Sequence, residues 1–419
     1  MTQTDTKKMI QPARRLSLVK EYYFSRKLKE VAKMDHEGLD VISLAIGSPD
    51  MPPSKQTIDT LCEMARQESA HGYQPTCGTP ELKDAMAGFY RRWFGVDLDA
   101  TSEIQPLIGS KEGILHITLA FVNPGDKVLV PDPGYPTYTS LSRILGAEVV
   151  KYNLRADNSW QPDFEELEKM DLSRVRLMWT NYPNMPTGAN ARMETYRKLV
   201  GFAKRHGIVV VNDNPYSFIL NSHPMSLLQV DGAKECCIEL NSMSKSHNMP
   251  GWRVGMCASN STFIKWILRV KSNIDSGTFR AIQLAAATAY ANDNQWHNTA
   301  NITTYAGRRR YAEEILQLLG CSYDPAQVGM FLWGRIPDSY TDAEELTEIL
   351  LHEARVFITP GHIFGANGKR YIRISLCAKQ EKLKNAVDRI TRLKERKIKE
   401  AEKATGKRFT TVSVKSLQI

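Results

Sequence analysis

The fold of this chain is easiest to read from residues 236–259, CCIELNSMSKSHNMPGWRVGMCAS. This stretch begins with the apolar run CCIELNS and ends with a second apolar run, VGMCAS. Between them, Lys245 follows two small hydroxyl residues, Ser242 and Ser244. Short apolar runs of this length predict buried strands. We therefore predict two strands of one sheet, with a lysine-bearing turn after the first.

Five more apolar runs lie upstream and alternate with polar or helix-patterned segments. They are QPLIG from Gln105, KVLVP from Lys127, EVVKY from Glu148, VRLMWTN from Val175 and GIVVVND from Gly207. Apolar strands alternating with helices form a parallel or mixed sheet covered on both faces, and functional residues collect at the carboxyl ends of such strands. The predicted fold class is α/β, with a mixed, mostly parallel seven-stranded sheet between helices.

Both chain ends carry further helix-like and strand-like runs. SLVKEYYFSRKLKEVAKM and VISLAIGSPD precede the sheet, while GMFLWGRI and RYIRISLCA follow it. We predict that the two ends combine into a smaller α+β domain. The predicted division is an N-terminal arm with part of the small domain at 1–50, a large domain at 51–295, a small C-terminal domain at 296–395 and a basic tail at 396–419.

The lysine turn carries the groups that a phosphate-bearing aldehyde cofactor needs. A lysine such as Lys245 forms a Schiff base with an aldehyde. The hydroxyls of Ser242 and Ser244 and the guanidinium of Arg253 can hold a phosphate dianion. A lone Ser-Lys pair is more often a surface feature, so the turn is suggestive only with the rest of the chain.

Other predicted strand ends add to this set. Asp213 ends GIVVVND and can pair with a protonated ring nitrogen, although it could equally cap a helix, and Tyr216 can hydrogen-bond a phenolic oxygen. In GSKEGI the amides of Ser110 and Lys111 open a helix, which favours phosphate binding. In PDPGYPTY a rigid turn presents Tyr135 to a flat cofactor. Each loop taken alone is typical of a surface turn.

Taken together and in this order, the motifs resemble the class I/II aminotransferases of fold type I, which use pyridoxal 5′-phosphate. The resemblance covers roughly residues 20–395 and is closest to diaminopimelate-, alanine- and aspartate-type members. The matching motifs are SxSKxxxxPGxRxG, DxPY, PxPGYPxY, GSxEG, YQPTCGTPELKDA, AIGSPD and the late PG, FG, G and YIRIS pattern.

The resemblance implies a role for each matching residue. Lys245 would be the Schiff-base lysine and the general base of the proton shift, Asp213 the partner of the pyridine nitrogen, Tyr216 a contact of the phenolic oxygen, and Tyr135 a stacking partner of the ring. The implied phosphate contacts are Ser110, Lys111, Ser242, Ser244 and Arg253.

The resemblance also implies substrate contacts and a second subunit. Arg373 in YIRIS would clamp the substrate α-carboxylate in two-point fashion, with the backbone at Gly47 closing from the other side. Tyr73 would reach the phosphate of the neighbouring subunit, which implies a homodimer with shared active sites. One position departs from the family pattern: an asparagine normally precedes the proline of the NPTG loop, and here Met185 stands there, with Asn184 one place early.

Composition excludes several classes of protein. With 419 residues, 42% of them hydrophobic and 24% charged, the chain is an ordinary globular one. No run approaches the ~18 apolar residues of a membrane helix and no signal peptide is evident, so we expect a cytoplasmic protein without a membrane partner. Seven scattered cysteines without a CxxC pair predict reduced thiols and no metal site.

The net charge of +9 is concentrated at one end of the chain. From residue 379 onward there are 13 basic and 5 acidic residues, which account for eight of the nine net charges. The pattern KLKNAVDRITRLKERKIKEAEK is typical of a solvated amphipathic helix, so we expect no nucleic-acid partner.

The sequence therefore predicts a dimeric aminotransferase that works by a ping-pong cycle between an L-amino acid and a 2-oxo acid. A carbon–sulfur lyase that catalyses β-elimination on the same fold is one alternative. A non-enzymatic regulator that binds the cofactor is another, although it would need a DNA-binding module that the N-terminal residues do not show.

Overall fold

The computed structural model describes residues 10–19, 23–292 and 302–405. The α-helices are α1 (Tyr23–His36), α2 (Lys55–Ala65), α3 (Pro80–Phe94), α4 (Ser110–Phe121), α5 (Pro136–Ile144), α6 (Phe164–Glu168), α7 (Met193–His206), α8 (Met243–Ser246), α9 (Ser261–Lys271), α10 (Arg280–Ala291), α11 (Tyr305–Leu318), α12 (Ala343–Ile349) and α13 (Gln380–Thr405). The strands are β1 (Ile42–Ser43), β2 (Ile104–Leu107), β3 (Lys127–Asp132), β4 (Glu148–Asn153), β5 (Val175–Thr180), β6 (Val209–Asp213), β7 (Cys237–Ser242), β8 (Gly255–Ala258), β9 (Ser322–Tyr323), β10 (Phe331–Arg335), β11 (Val356–Phe357), β12 (Thr359–Pro360) and β13 (Tyr371–Ser375).

All seven predicted strands of the large sheet are present. Their order is β2-β8-β7-β6-β5-β3-β4. Strand β8 runs antiparallel to both of its neighbours, and the other pairs are parallel. Strands β2, β3, β7 and β8 are buried at every position, as expected of strands covered by helices on both faces. The predicted mixed, mostly parallel α/β sheet is confirmed.

The parallel strands bring their carboxyl ends to one edge of this sheet. Asp213 is the last residue of β6 and Ser242 the last residue of β7, while α4 begins three residues after β2 ends. Residues that are 100 or more positions apart in the chain therefore meet at this edge. Ligands of open α/β sheets bind there, because loops from several strands converge.

The two chain ends meet beside that edge. Strand β1 from the N-terminal region pairs in parallel with β11, and β12, β13, β10 and β9 form a separate antiparallel sheet. Asp50 and Arg308 form a two-point ion pair with N–O distances of 2.7 and 2.9 Å, which ties the segment after β1 to α11. The smaller α+β unit built from both ends is thus present as predicted.

The C-terminal helix is amphipathic, as its sequence pattern predicts, and its apolar face is packed rather than solvated. Helix α13 packs against α11 and buries an apolar row, Leu383, Ala386, Val387, Ile390 and Leu393. The spacing of this row places it on one face, so the charged residues cover only the other face. The helix continues across the boundary predicted at residue 395, whereas residues 406–419 of the predicted tail and the boundary at 295 lie outside the described residues. The division into domains stays a prediction.

Candidate active site

A cavity of about 510 Å³ lies between the carboxyl edge of the large sheet and the elements formed by the chain ends. Every residue predicted for the site lines it except Tyr73. The predicted residues in its wall are Gly47, Ser110, Lys111, Tyr135, Asp213, Tyr216, Ser242, Ser244, Lys245, Arg253 and Arg373. The sequence therefore identified residues that the fold does bring together.

One end of the cavity is suited to an anion. Helix α4 begins at Ser110, after Gly109 in a left-handed conformation with φ of 77°. A Cβ at Gly109 would collide with the guanidinium of Arg253, so only glycine lets that cation lie against the helix N-terminus. Arg253 also donates to the Ser244 hydroxyl at 3.2 Å. A helix N-terminus, the neighbouring Lys111 and a guanidinium together favour a phosphate.

Lys245 lies in the short helix α8, directly after β7. The Ser242 hydroxyl starts this helix by accepting a hydrogen bond from the Ser244 amide at 3.2 Å. The Lys245 amine donates to the carbonyl of Gly47. Burial, together with the positive charges of Arg373 and Arg253, lowers the pKa of Lys245 below its ordinary value. The fraction of Lys245 amine that is neutral, and therefore nucleophilic, is larger than for a lysine on the surface.

Asp213 is a buried carboxylate with one oxygen satisfied and one free. The hydroxyl of Tyr138 donates to Oδ2 at 2.8 Å, whereas Oδ1 has no hydrogen-bond partner among the described residues. Burial raises the pKa of Asp213 to about 6, the Tyr138 hydrogen bond opposes this rise, and the charge of Glu239 adds to it. A free buried oxygen in a cavity wall needs a donor to satisfy it.

The loop after β5 shows what replaces the expected asparagine. Met185 is buried and lines the cavity. The Asn184 side chain accepts hydrogen bonds from the Thr187 amide and hydroxyl and donates to the Asn181 carbonyl at 3.2 Å, and it does not line the cavity. Asn181 does line the cavity, yet its amide accepts from Met185 N and donates to the carbonyl of Asp213. The side chains of both asparagines thus form hydrogen bonds within these loops and to the end of β6.

Arg373 projects from β13 into the other end of the cavity. Its Nη2 donates to the Ala45 carbonyl at 2.7 Å, and its Nη1 lies 3.2 Å from the sulfur of Met185. Its Cζ lies 4.0 Å from the centroid of the Phe331 ring and 4.6 Å from that of Phe364. Arg373 is 4% exposed, and the aromatic faces of Phe331 and Phe364 pack against its guanidinium.

Tyr73 lies outside the cavity and is 95% exposed. Its neighbour Gln74 forms a β-bridge with Gly277, so the Tyr73 loop and the segment from Asn273 lie together. Ile274 and Phe279 of that segment are also exposed, at 52% and 37%. This surface is separate from the cavity of the same chain.

Several cavity residues were missed by sequence reasoning. Tyr138 lies three residues after Tyr135 in PDPGYPTY. Residues with this spacing lie on the same face of a helix, so the spacing could have indicated that Tyr138 also lines the cavity. Asn181 directly follows β5, whose carboxyl end was already predicted to be functional. Phe24 and Leu28 are four residues apart in α1. Their sequence pattern could not indicate a cavity wall, because an apolar helix face is typical of core packing.

The cavity fits the cofactor predicted from the sequence. A protonated ring nitrogen could donate to the free Oδ1 of Asp213, burial lowers the pKa of the Lys245 amine, and the α4 N-terminus with Arg253 offers an anion site. These three features lie in one wall and belong to different strand ends.

Comparisons with known proteins agree with this assignment. The family model for aminotransferase class I and II matches residues 39–390. An LL-diaminopimelate aminotransferase of Dehalococcoides mccartyi is 40% identical over 91% of this chain and 98% of its own length, and that of Aquifex aeolicus is 38% identical over the same shares.

Solved structures have the same fold. A substrate-bound structure of BacF from Bacillus subtilis superposes with a TM-score of 0.87 at 33% identity, covering 92% of this chain and 98% of that one. A probable N-succinyldiaminopimelate aminotransferase from Thermus thermophilus superposes with a TM-score of 0.81 at 31% identity, covering 88% and 99%. With its matching motifs, fold and cavity, the chain belongs to the class I and II aminotransferases, enzymes of fold type I that depend on pyridoxal 5′-phosphate.

Proposed function

We propose that this aminotransferase moves an amino group between an L-amino acid and a 2-oxo acid in a ping-pong cycle, with Lys245 as the residue that binds the cofactor covalently. The observation that carries the proposal is the meeting of Lys245, Asp213 and Arg373 in one cavity. When bound, pyridoxal 5′-phosphate withdraws electrons from the substrate α-carbon, so that its proton can leave. The other steps depend on the chain's own groups.

Lys245 is proposed to move that proton. A base that works near neutral pH needs a pKa well below that of a free lysine, and burial lowers the pKa of Lys245 in this direction. The carbonyl of Gly47 accepts a hydrogen bond from the same amine and so orients it within the cavity. The amine thus has both the protonation behaviour and the fixed position that proton transfer requires.

Asp213 and Tyr216 are proposed to hold the cofactor ring, with Tyr135 against its face. An ionised Asp213 stabilises a protonated ring nitrogen, and Tyr138 fixes the carboxylate from behind at 2.8 Å. The residues that would hold the phosphate are Ser110, Lys111, Ser242, Ser244 and Arg253. They surround the helix N-terminus at the opposite end of the cavity from Arg373.

Arg373 is proposed to bind the substrate α-carboxylate. A guanidinium presents two parallel donors that match a carboxylate, and here Nη2 donates to the Ala45 carbonyl while Nη1 faces the Met185 sulfur. Gly47 lies against the Phe331 ring so closely that any Cβ would collide with it. The absence of a side chain there lets the Phe331 ring lie over the Arg373 guanidinium.

We further propose a homodimer in the cytoplasm. The exposed Tyr73, Ile274 and Phe279 form one surface beside the bridge between Gln74 and Gly277, and Tyr73 would reach the partner's phosphate from it. All seven cysteines are free, as expected in a reducing compartment. No helix in the described part of the chain combines the length and apolarity needed to cross a bilayer.

A half-reaction tests the proposed function. The holoenzyme is mixed with each of the twenty amino acids and LL-diaminopimelate, the substrate in the names of the bacterial relatives, without any 2-oxo acid acceptor. Transamination releases one 2-oxo acid per active site, with loss of the visible band of the cofactor. Continuous 2-oxo acid release without acceptor would indicate β-elimination instead, and no spectral change with any amino acid would indicate a binding protein.

A further inference from the structure

We propose that Asp132 is a positioning residue for the substrate α-carboxylate, because it holds the loop that packs Phe364 against Arg373. This inference rests on the carboxylate contact proposed above for Arg373 and adds a residue that acts behind it. Asp132 is the last residue of β3, and it is not among the residues that line the cavity. Any effect of Asp132 on the substrate must therefore pass through other side chains.

The carboxylate of Asp132 binds a loop that belongs to the smaller α+β unit. Its Oδ2 accepts a hydrogen bond from the Ala366 amide and its Oδ1 one from the Asn367 amide, both at 3.1 Å. The Asn367 side chain donates to the Asp132 carbonyl at 3.0 Å. Lys151 donates to Oδ2 at 2.9 Å and balances the charge of the buried carboxylate. One aspartate thus joins the large sheet to this loop.

Gly365 permits the close approach of the loop. Its φ is 147°, and a Cβ at this position would overlap the Asp132 carboxylate. One residue earlier, the Phe364 carbonyl accepts a hydrogen bond from the Gly134 amide at 2.8 Å. The backbone on both sides of Gly365 is therefore fixed to the turn that follows β3.

The Phe364 ring connects this joint to the carboxylate site. Phe364 is buried, and its ring centroid lies 4.6 Å from Cζ of Arg373. A ring packed on the face of a guanidinium restricts the tilt of its plane. A two-point contact with a carboxylate needs the two groups in one plane. A shift of the loop would therefore misalign the donors of Arg373 and leave the phosphate end of the cavity unchanged.

A local helix cap has the same hydrogen bonds without this consequence. Asp163 is such a cap, since it accepts from the amides of Glu165 and Glu166 at 3.0 and 3.1 Å, two and three residues further along the chain. Asp132 makes the equivalent pair of bonds to amides that are 234 and 235 positions away. Its carboxylate therefore joins two parts of the fold rather than starting a helix of its own segment.

Asp132→Asn keeps the shape of the side chain but replaces one acceptor with a donor, so one of the two loop amides loses its partner. In the half-reaction with the most reactive amino acid, we expect the half-saturating concentration to rise about tenfold or more, with the limiting rate and the visible spectrum preserved. Asp163→Asn is the matched control and should leave the half-saturating concentration unchanged. No rise in Asp132→Asn, or an equal rise in the control, would overturn the inference.

A double-mutant cycle tests whether Asp132 acts through the Phe364 ring. If it does, Asp132→Asn should change the half-saturating concentration much less in the background of Phe364→Leu than in the wild type. Equal changes in both backgrounds would contradict the inference. Should Asp132→Asn fail to fold, Asn367→Ala removes a side-chain hydrogen bond from the same joint. It should raise the half-saturating concentration in the same direction, and no rise would overturn the inference.

A binding measurement keeps the inference testable if no amino acid reacts, which would be a failure of the proposed turnover alone. Calorimetric titration of the holoenzyme with propionate measures a carboxylate that has almost no side chain. We expect Asp132→Asn to weaken propionate binding relative to both the wild type and Asp163→Asn. Equal binding by all three proteins, or no binding by any of them, overturns the inference.

Discussion

The hydroxyl of Tyr138 donates a 2.8 Å hydrogen bond to Oδ2 of Asp213. The Tyr138 ring is itself fixed by parallel stacking on Trp179, with centroids 4.9 Å apart. This contact stabilises the ionised form of a carboxylate whose pKa burial has raised to about 6. Tyr138 is therefore a positioning residue behind Asp213, and it connects the α5 turn to the end of β6.

Tyr138→Phe should remove the hydrogen bond to Asp213 and keep the ring that stacks on Trp179. A hydrogen bond to a charged group contributes roughly 1.5–3 kcal/mol, so we expect kcat/KM to fall about tenfold to a hundredfold. Because the ionised carboxylate loses a donor, the acidic limb of the pH profile should move to higher pH. A loss of activity without any movement of that limb would show that Tyr138 only packs.

Asp213 should make the cofactor-free protein less stable at neutral pH than at acid pH. Folding raises the pKa of the carboxyl from its ordinary value of 3.8 to about 6. The folded state therefore binds more protons between these values, and the stability present below pH 4 is lost as the pH rises through 6, by about 3 kcal/mol. Denaturant unfolding of the wild type and Asp213→Asn at pH 4 and pH 7 measures this. The loss should be absent from the variant, and an identical loss in both would assign it to other groups.

Lys245 should carry the cofactor. Borohydride treatment of the holoenzyme should abolish its visible band and leave the label on the peptide containing Lys245, as measured by mass spectrometry. Lys245→Ala should lose nearly all turnover, because the proposed proton carrier is gone. A label on any other lysine contradicts the assignment, and Lys111, the other lysine of the cavity wall, is the one to inspect first.

Arg373→Lys should separate charge from geometry. Lysine keeps the positive charge but lacks the planar fork, so we expect a loss of about 2 kcal/mol or more in kcat/KM. The cofactor should stay bound, since Arg373 lies at the opposite end of the cavity from the phosphate contacts. Unchanged kinetics with an intact visible spectrum would exclude the proposed carboxylate contact.

Met185→Asn restores the residue that the family pattern has before the proline. An amide donor beside the phenolic oxygen of the cofactor would stabilise its anion, so we expect the visible spectrum of the holoenzyme to titrate at lower pH. The pH dependence of that spectrum is the measurement. If Met185 only packs under the loop, the substitution will lower the free energy of unfolding and leave the spectral midpoint in place.

Local sequence was enough to predict the large sheet and most of the site. The seven apolar runs specify buried strands wherever they occur, and the turn residues after them specify where each strand stops. Because all parallel strands of such a sheet end at one edge, the positions of Asp213, Ser242 and Lys245 at strand ends suffice to predict that they lie together. Their roles come from the resemblance to the class I/II aminotransferases, because each of these turns taken alone is typical of a surface turn.

The tertiary structure decided the rest, because those contacts join segments that no local pattern relates. Met185 and Arg373 are 188 positions apart, and their contact depends on how the small unit closes on the large sheet. Phe24 could have been an ordinary core residue of an amphipathic helix, and the sequence of α13 does not specify which element covers its apolar face. Packing between the elements determines which apolar helix face lines the cavity and which lies in the core. The same packing determines which residues surround Arg373.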